Sequence, residues 1–235
     1  MMVCITGDTH GQFGRIAEFC NEYNTSKDDI MIVLGDAGIN YYENETDEEL
    51  KKILDELPIT FFCIHGNHEQ RPFVIATYEE EVWHSGMVYV EKKHPSLKFA
   101  KDGGIYDFNG MKTIVFGGAY SVDKDYRIYR HIPWFENEQP SKEIKEYVEL
   151  RLNDINWKVD LVLSHTTPLK YEPIEVFIPF IDQSSVDKST EIWLDGIETK
   201  LDYQKWYAGH YHTEKKIDSI VIMYENIHEL INTNL

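Results

Sequence analysis

The sequence is poor in basic residues and has no long apolar run. Its 235 residues include 23 Lys and Arg against 41 Asp and Glu, which gives a net charge of −18. Proteins that bind DNA or RNA through phosphates need clustered cations, so we expect no large nucleic-acid footprint. No apolar run reaches the roughly 18–20 residues of a membrane span, and the mean hydropathy is −0.43. A membrane partner is therefore not expected.

Cysteine is also scarce. The three cysteines, Cys4, Cys20 and Cys63, are odd in number and far apart, and each falls at an apolar position of a periodic segment. This pattern predicts buried, reduced thiols and no disulfide. The chain enters a strand-like run at Met2 without the basic and apolar regions of a signal peptide. Both features predict a cytoplasmic location, and neither indicates an oligomeric state.

What the sequence does have is enough apolar material for a core. Hydrophobic residues make up 42% and aromatic residues 13% of the chain, which excludes a disordered protein. The length suits a single domain over 1–235, which could bury roughly 70–75% of the surface of the unfolded chain. A catalytic or binding site can therefore be built on a rigid scaffold.

The first part of the chain alternates between buried strands and amphipathic helices. Apolar runs at Met2–Thr6, Ile30–Leu34 and Ile59–Ile64 predict three strands. Apolar residues at helical spacing over 16–23 and 50–57 predict the helices between them. This alternation is typical of parallel strands joined by crossover helices, and it predicts an α/β fold.

The rest of the chain has a different pattern, in which short apolar segments are separated by turn residues and predict an antiparallel sheet. These strand candidates are Met87–Val90, Leu97–Ala100, Ile105–Phe108 and Thr113–Phe116. The remaining predicted elements are a polar, aromatic loop over 119–139, a helix capped by Ser141, a strand at Val159–Leu163, a proline-containing segment over 166–189, a strand at Trp206–Ala208 and a hairpin over 215–224.

Side chains of the kind that bind metals follow the ends of five predicted strands. Ligands of open α/β folds bind in the crevice at the carboxyl ends of the strands, so these side chains are expected to meet there. Carboxylates, imidazoles and an amide oxygen, without thiolate, suit Mn, Fe or Zn. The set is too large for one tetrahedral ion and about right for two ions that share a bridging group. The candidate ligands are Asp8, His10, Asp36, Asn67, His165, His210 and His212.

The order of these motifs resembles that of the calcineurin-like metallophosphoesterase superfamily. The motifs are Asp-x-His at residue 8, Gly-Asp at residue 35, Gly-Asn-His-Glu at residue 66, Ser-His at residue 164 and Gly-His-x-His at residue 209. The resemblance is to the broad branch outside the protein phosphatases, of bacterial or phage type. It implies a four-layer α/β/β/α sandwich with two mixed sheets. It also implies a phosphoesterase acting on a small phosphorylated substrate, a mono- or diester, through a hydroxide held by two metal ions.

The same resemblance implies a role for each motif residue. Asp36 would bridge two divalent ions, with Mn favoured, and His68 would protonate the leaving group or contact the phosphoryl group. The other residues would complete the two metal sites: Asp8, His10 and His212 the first, and Asn67, His165 and His210 the second.

The second motif departs from the protein-phosphatase pattern Gly-Asp-x-x-Asp-Arg-Gly. Here Ile39 and Asn40 stand at the positions of the second Asp and the Arg. This disfavours a protein Ser/Thr phosphatase, which stays an alternative beside a non-catalytic scaffold on the same fold and a metal-dependent hydrolase of another bond. It also leaves open whether Glu69 or Glu43 orients His68.

Three cations are candidates for substrate binding. Arg71 follows the Gly-Asn-His-Glu motif, while Lys124 and Arg127 lie in the aromatic loop over 119–139. These two could clamp a phosphate or stack on a base, although a solvated loop with paired charges is an equal alternative. The segment over 166–189 could be a lid, a dimer contact or a cap on the core.

Overall fold

Thirteen strands form two mixed sheets within residues 1–231, which this computed structural model describes, and the central strands are apolar and β-branched segments. The first sheet contains β1 (Val3–Thr6), β2 (Ile30–Val33), β3 (Thr60–Cys63), β4 (Tyr78–Trp83), β5 (Gly86–Glu91), β6 (His94–Ala100) and β13 (His228–Glu229). The second contains β7 (Ile105–Phe108), β8 (Met111–Phe116), β9 (Leu161–Ser164), β10 (Lys205–Ala208), β11 (Lys215–Ile217) and β12 (Ile220–Ile222).

The central strands of each sheet run parallel and end at the same level. The first sheet has the order β13-β1-β2-β3-β6-β5-β4, and the second has the order β11-β12-β10-β9-β8-β7. Thr6 of β1 lies opposite Val33 of β2, which lies opposite Cys63 of β3. In the second sheet, Ser164 of β9 lies opposite Ala208 of β10. This register places the loops that follow β1, β2 and β3 side by side, and likewise those that follow β9 and β10.

In the described part of the chain, four of the five helices cover the outer faces of the two sheets, and the fifth lies in the loop after β8. A buried core lies between the sheets, with Phe62 from the first sheet and Leu163 from the second among its members. Two further cores lie on the outer faces of the sheets. One contains Leu54 and packs on the first sheet, and the other contains Leu152 and packs on the second. These layers confirm the predicted α/β/β/α sandwich. The helices are α1 (Gly14–Tyr23), α2 (Glu45–Glu56), α3 (Lys124–Arg130), α4 (Lys142–Asp154) and α5 (Ser189–Glu198).

Several local predictions are confirmed. The side chain of Ser141 accepts the N–H of Ile144 at 3.3 Å and caps α4. All three cysteines are buried and free, and burial raises the pKa of the Cys4 thiol to about 12. None of the helices in residues 1–231 combines the length and the apolarity that crossing a membrane requires. The predicted single domain over 1–235 extends into residues 232–235, outside the described residues.

Other predictions were wrong. The middle strands do not form one antiparallel sheet, because the chain changes sheets between β6 and β7, at a turn where Gly103 has φ +72°. The predicted loop over 119–139 contains α3, a helix with the buried Arg127 on its inner side. The sequence prediction also missed α5 and β4. The acidic run of β4 forms an exposed edge strand, and its carboxylates pair with lysines, as Glu81 does with Lys98 at 2.9 Å.

Candidate metal centre

The candidate ligands follow strands whose ends lie at the same level of each sheet. The loop after β1 carries Asp8 and His10, the loop after β2 carries Asp36, and the loop after β3 carries Asn67 and His68. From the second sheet, the loop after β9 begins with His165, and the loop after β10 carries His210 and His212. Distances between their side chains show that the structure brings these residues together.

Asp8, His10 and His212 form the first group. The Nε2 atoms of His10 and His212 are 2.9 Å apart, and Asp8 Oδ2 lies 3.2 Å from His212 Nε2 and 3.9 Å from His10 Nε2. Asp8 Oδ2 is buried and has no hydrogen-bond partner among the described residues. A buried, unpaired carboxylate oxygen that faces two imidazole nitrogens fits a divalent cation.

Asp36 lies between this group and the second one. Its Oδ2 is 3.9 Å from His10 Nε2, and its Oδ1 is 3.6 Å from His165 Nε2. Burial by itself raises the pKa of Asp36, but the imidazoles of His165, His68 and His10 outweigh it, so the pKa lies below its ordinary value. An ionised carboxylate with one oxygen toward each group suits the bridging role that the resemblance implies.

Asn67, His165 and His210 form the second group. The Oδ1 of Asn67 lies 2.8 Å from His165 Nε2, and its amide nitrogen donates to Ser121 Oγ at 3.0 Å. His165 Nδ1 lies 2.8 Å from the carbonyl oxygen of Leu34, so Nδ1 is assigned as the donor and Nε2 keeps its lone pair. Asn67 Oδ1 and His165 Nε2 are then both acceptors, and at 2.8 Å they repel each other unless a cation lies between them.

The ring of His210 completes this group. It lies 5.0 Å from the ring of His165, centre to centre. Burial, together with the nearby His165, lowers the pKa of His210 to about 3. The imidazole is therefore neutral at physiological pH, which is the form that binds metals.

The ligand loops have an unusual backbone. His10, Asp36, His210 and His212 have φ values of 46°, 47°, 70° and 48°, in the left-handed region that residues with a Cβ rarely adopt. Such strain is concentrated at functional sites, where the surrounding structure holds it in place.

Close approach between the loops depends on glycine. A Cβ on Gly66 would lie 2.0 Å from Asp36 Oδ1. A Cβ on Gly35 would lie 2.1 Å from His165 Nδ1. The small residues of the Gly-Asp and Gly-Asn-His-Glu motifs therefore let these loops pack against each other's ligands.

His68 lies beside Asp36 and His10. Its backbone N–H donates to Asp36 Oδ1 at 2.7 Å, and its ring packs edge-on against the ring of His10 at 5.2 Å. Burial lowers the pKa of His68, Asp36 opposes this shift, and Arg127 adds to it. A lowered pKa makes the protonated imidazole a stronger acid and reduces the fraction that is protonated near neutral pH.

The two carboxylates suggested for orienting His68 lie elsewhere. Glu69 is fully buried, and its Oε1 accepts the backbone N–H of Gly66 at 2.9 Å. Burial, with Asp36 close by, raises the pKa of Glu69 to about 8. Glu43 is exposed at the start of α2. Asp123 is the carboxylate besides Asp36 whose charge acts on His68.

The structure separates the three predicted substrate-binding cations. Arg71 is buried in an ion pair with Asp102 and lines another cavity, so the structure does not bring it to the ligand group. The ammonium of Lys124 lies 4.2 Å from the ring centre of Trp134. Arg127 is 2% exposed and donates to Ser121 Oγ at 3.4 Å, the same hydroxyl that binds Asn67. Of these three cations, Arg127 is the one whose contacts reach a candidate ligand, through Ser121.

Sequence reasoning missed Arg15, which anchors the loop that carries Asp8. From α1, its guanidinium donates to the carbonyl oxygens of Asp8 at 2.9 Å and Tyr224 at 3.1 Å. Tyr224 in turn stacks on His212, with ring centres 4.7 Å apart. A lone arginine on a helix gives no motif, so only its contacts identify this role.

A cavity of about 440 Å³ opens beside the ligand group. Asp36, Asn67, His68, His210 and His212 lie on one side of it. The segment over 166–189 also lines it, and before α5 the regular structure of this segment consists of short 3₁₀ turns such as Ile174–Val176.

The sequence also matches a known family. A family model for calcineurin-like phosphoesterases matches residues 1–214 and so includes every candidate ligand. The chain belongs to the calcineurin-like phosphoesterase family. Members of this family generally bind two divalent metals, and this calcineurin-like phosphoesterase has carboxylate and imidazole groups that could hold them.

Solved structures share the fold of this calcineurin-like phosphoesterase. The protein TT1561 of Thermus thermophilus is 11% identical, with a TM-score of 0.54 over 97% of this chain and 97% of that one. Phosphopantetheinyl hydrolase (PptH) from Mycobacterium tuberculosis is 13% identical, with a TM-score of 0.52 over 95% of this chain and 88% of that one. At these identities the likeness concerns the fold. No protein of curated function matches the chain.

Proposed function

We propose that this calcineurin-like phosphoesterase is a metal-dependent hydrolase of small phosphate mono- or diesters. The observation that carries the proposal is the convergence of eight side chains, from the loops after five strands, into one group of carboxylates, imidazoles and an amide. This group is buried at Asp8, Asp36, Asn67 and His165 and exposed at His212. Asp8, His10 and His212 would hold one ion, while Asn67, His165 and His210 would hold the other. Asp36 would bridge them.

Two divalent ions in these positions would neutralise charge on the phosphoryl oxygens and lower the pKa of the attacking water. The chain itself would orient the ester. His68, at the edge of the cavity, would donate a proton to the leaving oxygen. Arg127, joined to Asn67 through the hydroxyl of Ser121, would hold Asn67 in place.

Metal analysis and a hydrolysis panel test this function together. After reconstitution with Mn, Fe or Zn, we expect close to two ions per chain, with Mn favoured, and turnover of 4-nitrophenyl phosphate or bis(4-nitrophenyl) phosphate. Asp36→Asn should lose both metal and turnover, because it removes the shared charge. Asp28→Asn, at an exposed carboxylate, is the matched control. A folded protein that binds no metal and hydrolyses neither ester would refute the proposal. The cytoplasmic location stays a prediction.

A further inference from the structure

We propose that the cavity beside the metal centre selects esters whose alcohol part is aromatic or otherwise apolar and carries no negative charge, and that Phe177 determines this specificity. The inference rests on the proposed function, because it names the class of ester that the same site would accept. The observation behind it is the composition of the cavity wall contributed by the segment over 166–189.

Most of the cavity wall that the segment over 166–189 contributes is apolar. A cavity of about 440 Å³ is large enough for a small organic group attached to a phosphate. Aromatic and aliphatic side chains there would bury an apolar alcohol part and leave a polar one without hydrogen-bond partners. The apolar residues of this wall are Val176, Phe177, Ile178, Ile181 and Val186.

Phe177 is the member of this wall that is fixed relative to the ligands. Its ring lies 6.2 Å from the ring of Tyr211 at an angle of 17°, and Tyr211 stands between His210 and His212 in the chain. The ammonium of Lys188 lies 4.9 Å from the ring centre of Phe177.

Hydrogen bonds fix Tyr211 in turn. Its hydroxyl lies 3.0 Å from Thr166 Oγ1, which donates to Glu191 Oε1 at 2.8 Å. Glu191 is 4% exposed, belongs to α5 and itself lines the cavity. The pair of Phe177 and Tyr211 therefore presents an aromatic surface at a set position beside the ligand loop.

The charges on the wall disfavour an anionic alcohol part. Besides Asp36, the carboxylates that line the cavity are Asp123, Glu172 and Glu191. Within residues 1–231, Lys188 is the one Lys or Arg in this lining, and it already pairs with Glu172 at 2.7 Å. A second negative group on the ester, held away from the two proposed ions, would face these acids, and the one lysine of the lining is already paired.

Phe180 provides a matched control in the same segment. It is 94% exposed and lies outside the residues that line the cavity. Truncation at Phe180 removes the same side chain, three positions further along, without changing the cavity. An effect on the folding of the whole segment would appear in both variants, whereas an effect on specificity would appear only in Phe177→Ala.

The experiment compares three aryl esters of similar leaving-group acidity with the Mn-loaded protein. Burial of the second ring should raise kcat/KM for 1-naphthyl phosphate about 10-fold over phenyl phosphate, mainly through KM. A 4-(carboxymethyl)phenyl phosphate should be hydrolysed less efficiently than phenyl phosphate. Phe177→Ala should bring the naphthyl preference to about 2-fold or less, because it removes most of the apolar contact. Phe177→Leu should show a naphthyl preference between those of Phe177→Ala and the wild type, and Phe180→Ala should have the wild-type preference.

A binding measurement separates failure of this inference from failure of the proposed function. The fluorescence of 1-naphthylmethylphosphonate, which cannot be hydrolysed at its P–C bond, reports binding without turnover. Weaker binding to Phe177→Ala than to Phe180→Ala supports the pocket even if no ester is hydrolysed. Equal binding to both variants, or a naphthyl preference that survives Phe177→Ala, overturns the inference while leaving hydrolysis intact.

Discussion

Gly66→Ala tests whether the position of Asp36 controls the site. The added Cβ would lie 2.0 Å from Asp36 Oδ1 and 2.2 Å from the Asp36 backbone nitrogen, whereas ordinary contacts begin at 3.4 Å. The Cβ would therefore lie about 1.4 Å too close to Asp36. Part of this overlap is with the backbone of Asp36, which cannot rotate away as a side chain can. Gly66 has no positive φ, so the effect is steric and separate from backbone conformation.

Two magnitudes follow for Gly66→Ala. A displacement of about 1 Å at a reacting site costs on the order of 100-fold in rate, so kcat/KM for phenyl phosphate should fall by about that factor. Overpacking of this kind costs about 1–3 kcal/mol of stability. Metal content should fall as well, because Asp36 would leave its place between His10 and His165.

The assays are Mn-supported hydrolysis, elemental analysis and urea denaturation, with Gly196→Ala as the control. Gly196 lies in α5 and has nothing within 4 Å of the added Cβ. That substitution should stabilise the protein by about 0.5–1 kcal/mol and leave turnover unchanged. If Gly66→Ala keeps its metal and stays within 2-fold of wild-type activity, the close approach to Asp36 is not what positions the carboxylate.

Three further substitutions test separate parts of the structure. His68→Ala should lower kcat by about 10²–10⁴-fold with metal content unchanged; loss of metal would instead make His68 a ligand, as its place beside Asp36 also allows. Arg15→Ala should lower metal affinity without changing α1, measured by competition with a chelator, and equal affinities would exclude the anchoring role. Lys51→Met should cost about 3–5 kcal/mol in urea denaturation, because it leaves the buried Glu91 unpaired; Glu91→Gln in the same chain should recover part of it.

The sequence predicts the centre of the fold better than its periphery. Apolar runs that end in small residues place β1, β2 and β3 correctly, because burial on both faces leaves a continuous signal. In α5, the buried positions include the polar Thr190 and Glu191, which interrupt the apolar stripe. α3 reverses the usual pattern, with Arg127 inside and Tyr129 80% exposed. Neither helix is visible to periodicity.

Local sequence also fails where position depends on the rest of the chain. Nothing local shows that β6 and β7 belong to different sheets, since each forms an antiparallel pair with a strand next to it in sequence, β6 with β5 and β7 with β8. Arg71 is a candidate in the sequence because it lies close to His68. In the structure it precedes the 3₁₀ turn Pro72–Val74, and its guanidinium pairs with Asp102. The candidate ligands can be predicted from local sequence, because each follows the end of a predicted strand and the sheets bring such ends together.

The pairing of His10 with His212 joins residues 202 positions apart in the chain. During synthesis, the strands that carry Asp8, Asp36 and Asn67 leave the ribosome long before the last two histidines are made. The nascent protein can therefore build much of its first sheet before His165, His210 and His212, three of the eight side chains of the candidate site, have been made. Completion of the candidate site is therefore a late event in synthesis, and contacts this distant in sequence are slow to form. A chain that ends shortly before residue 212 would lack His212 and could not form its contact with His10.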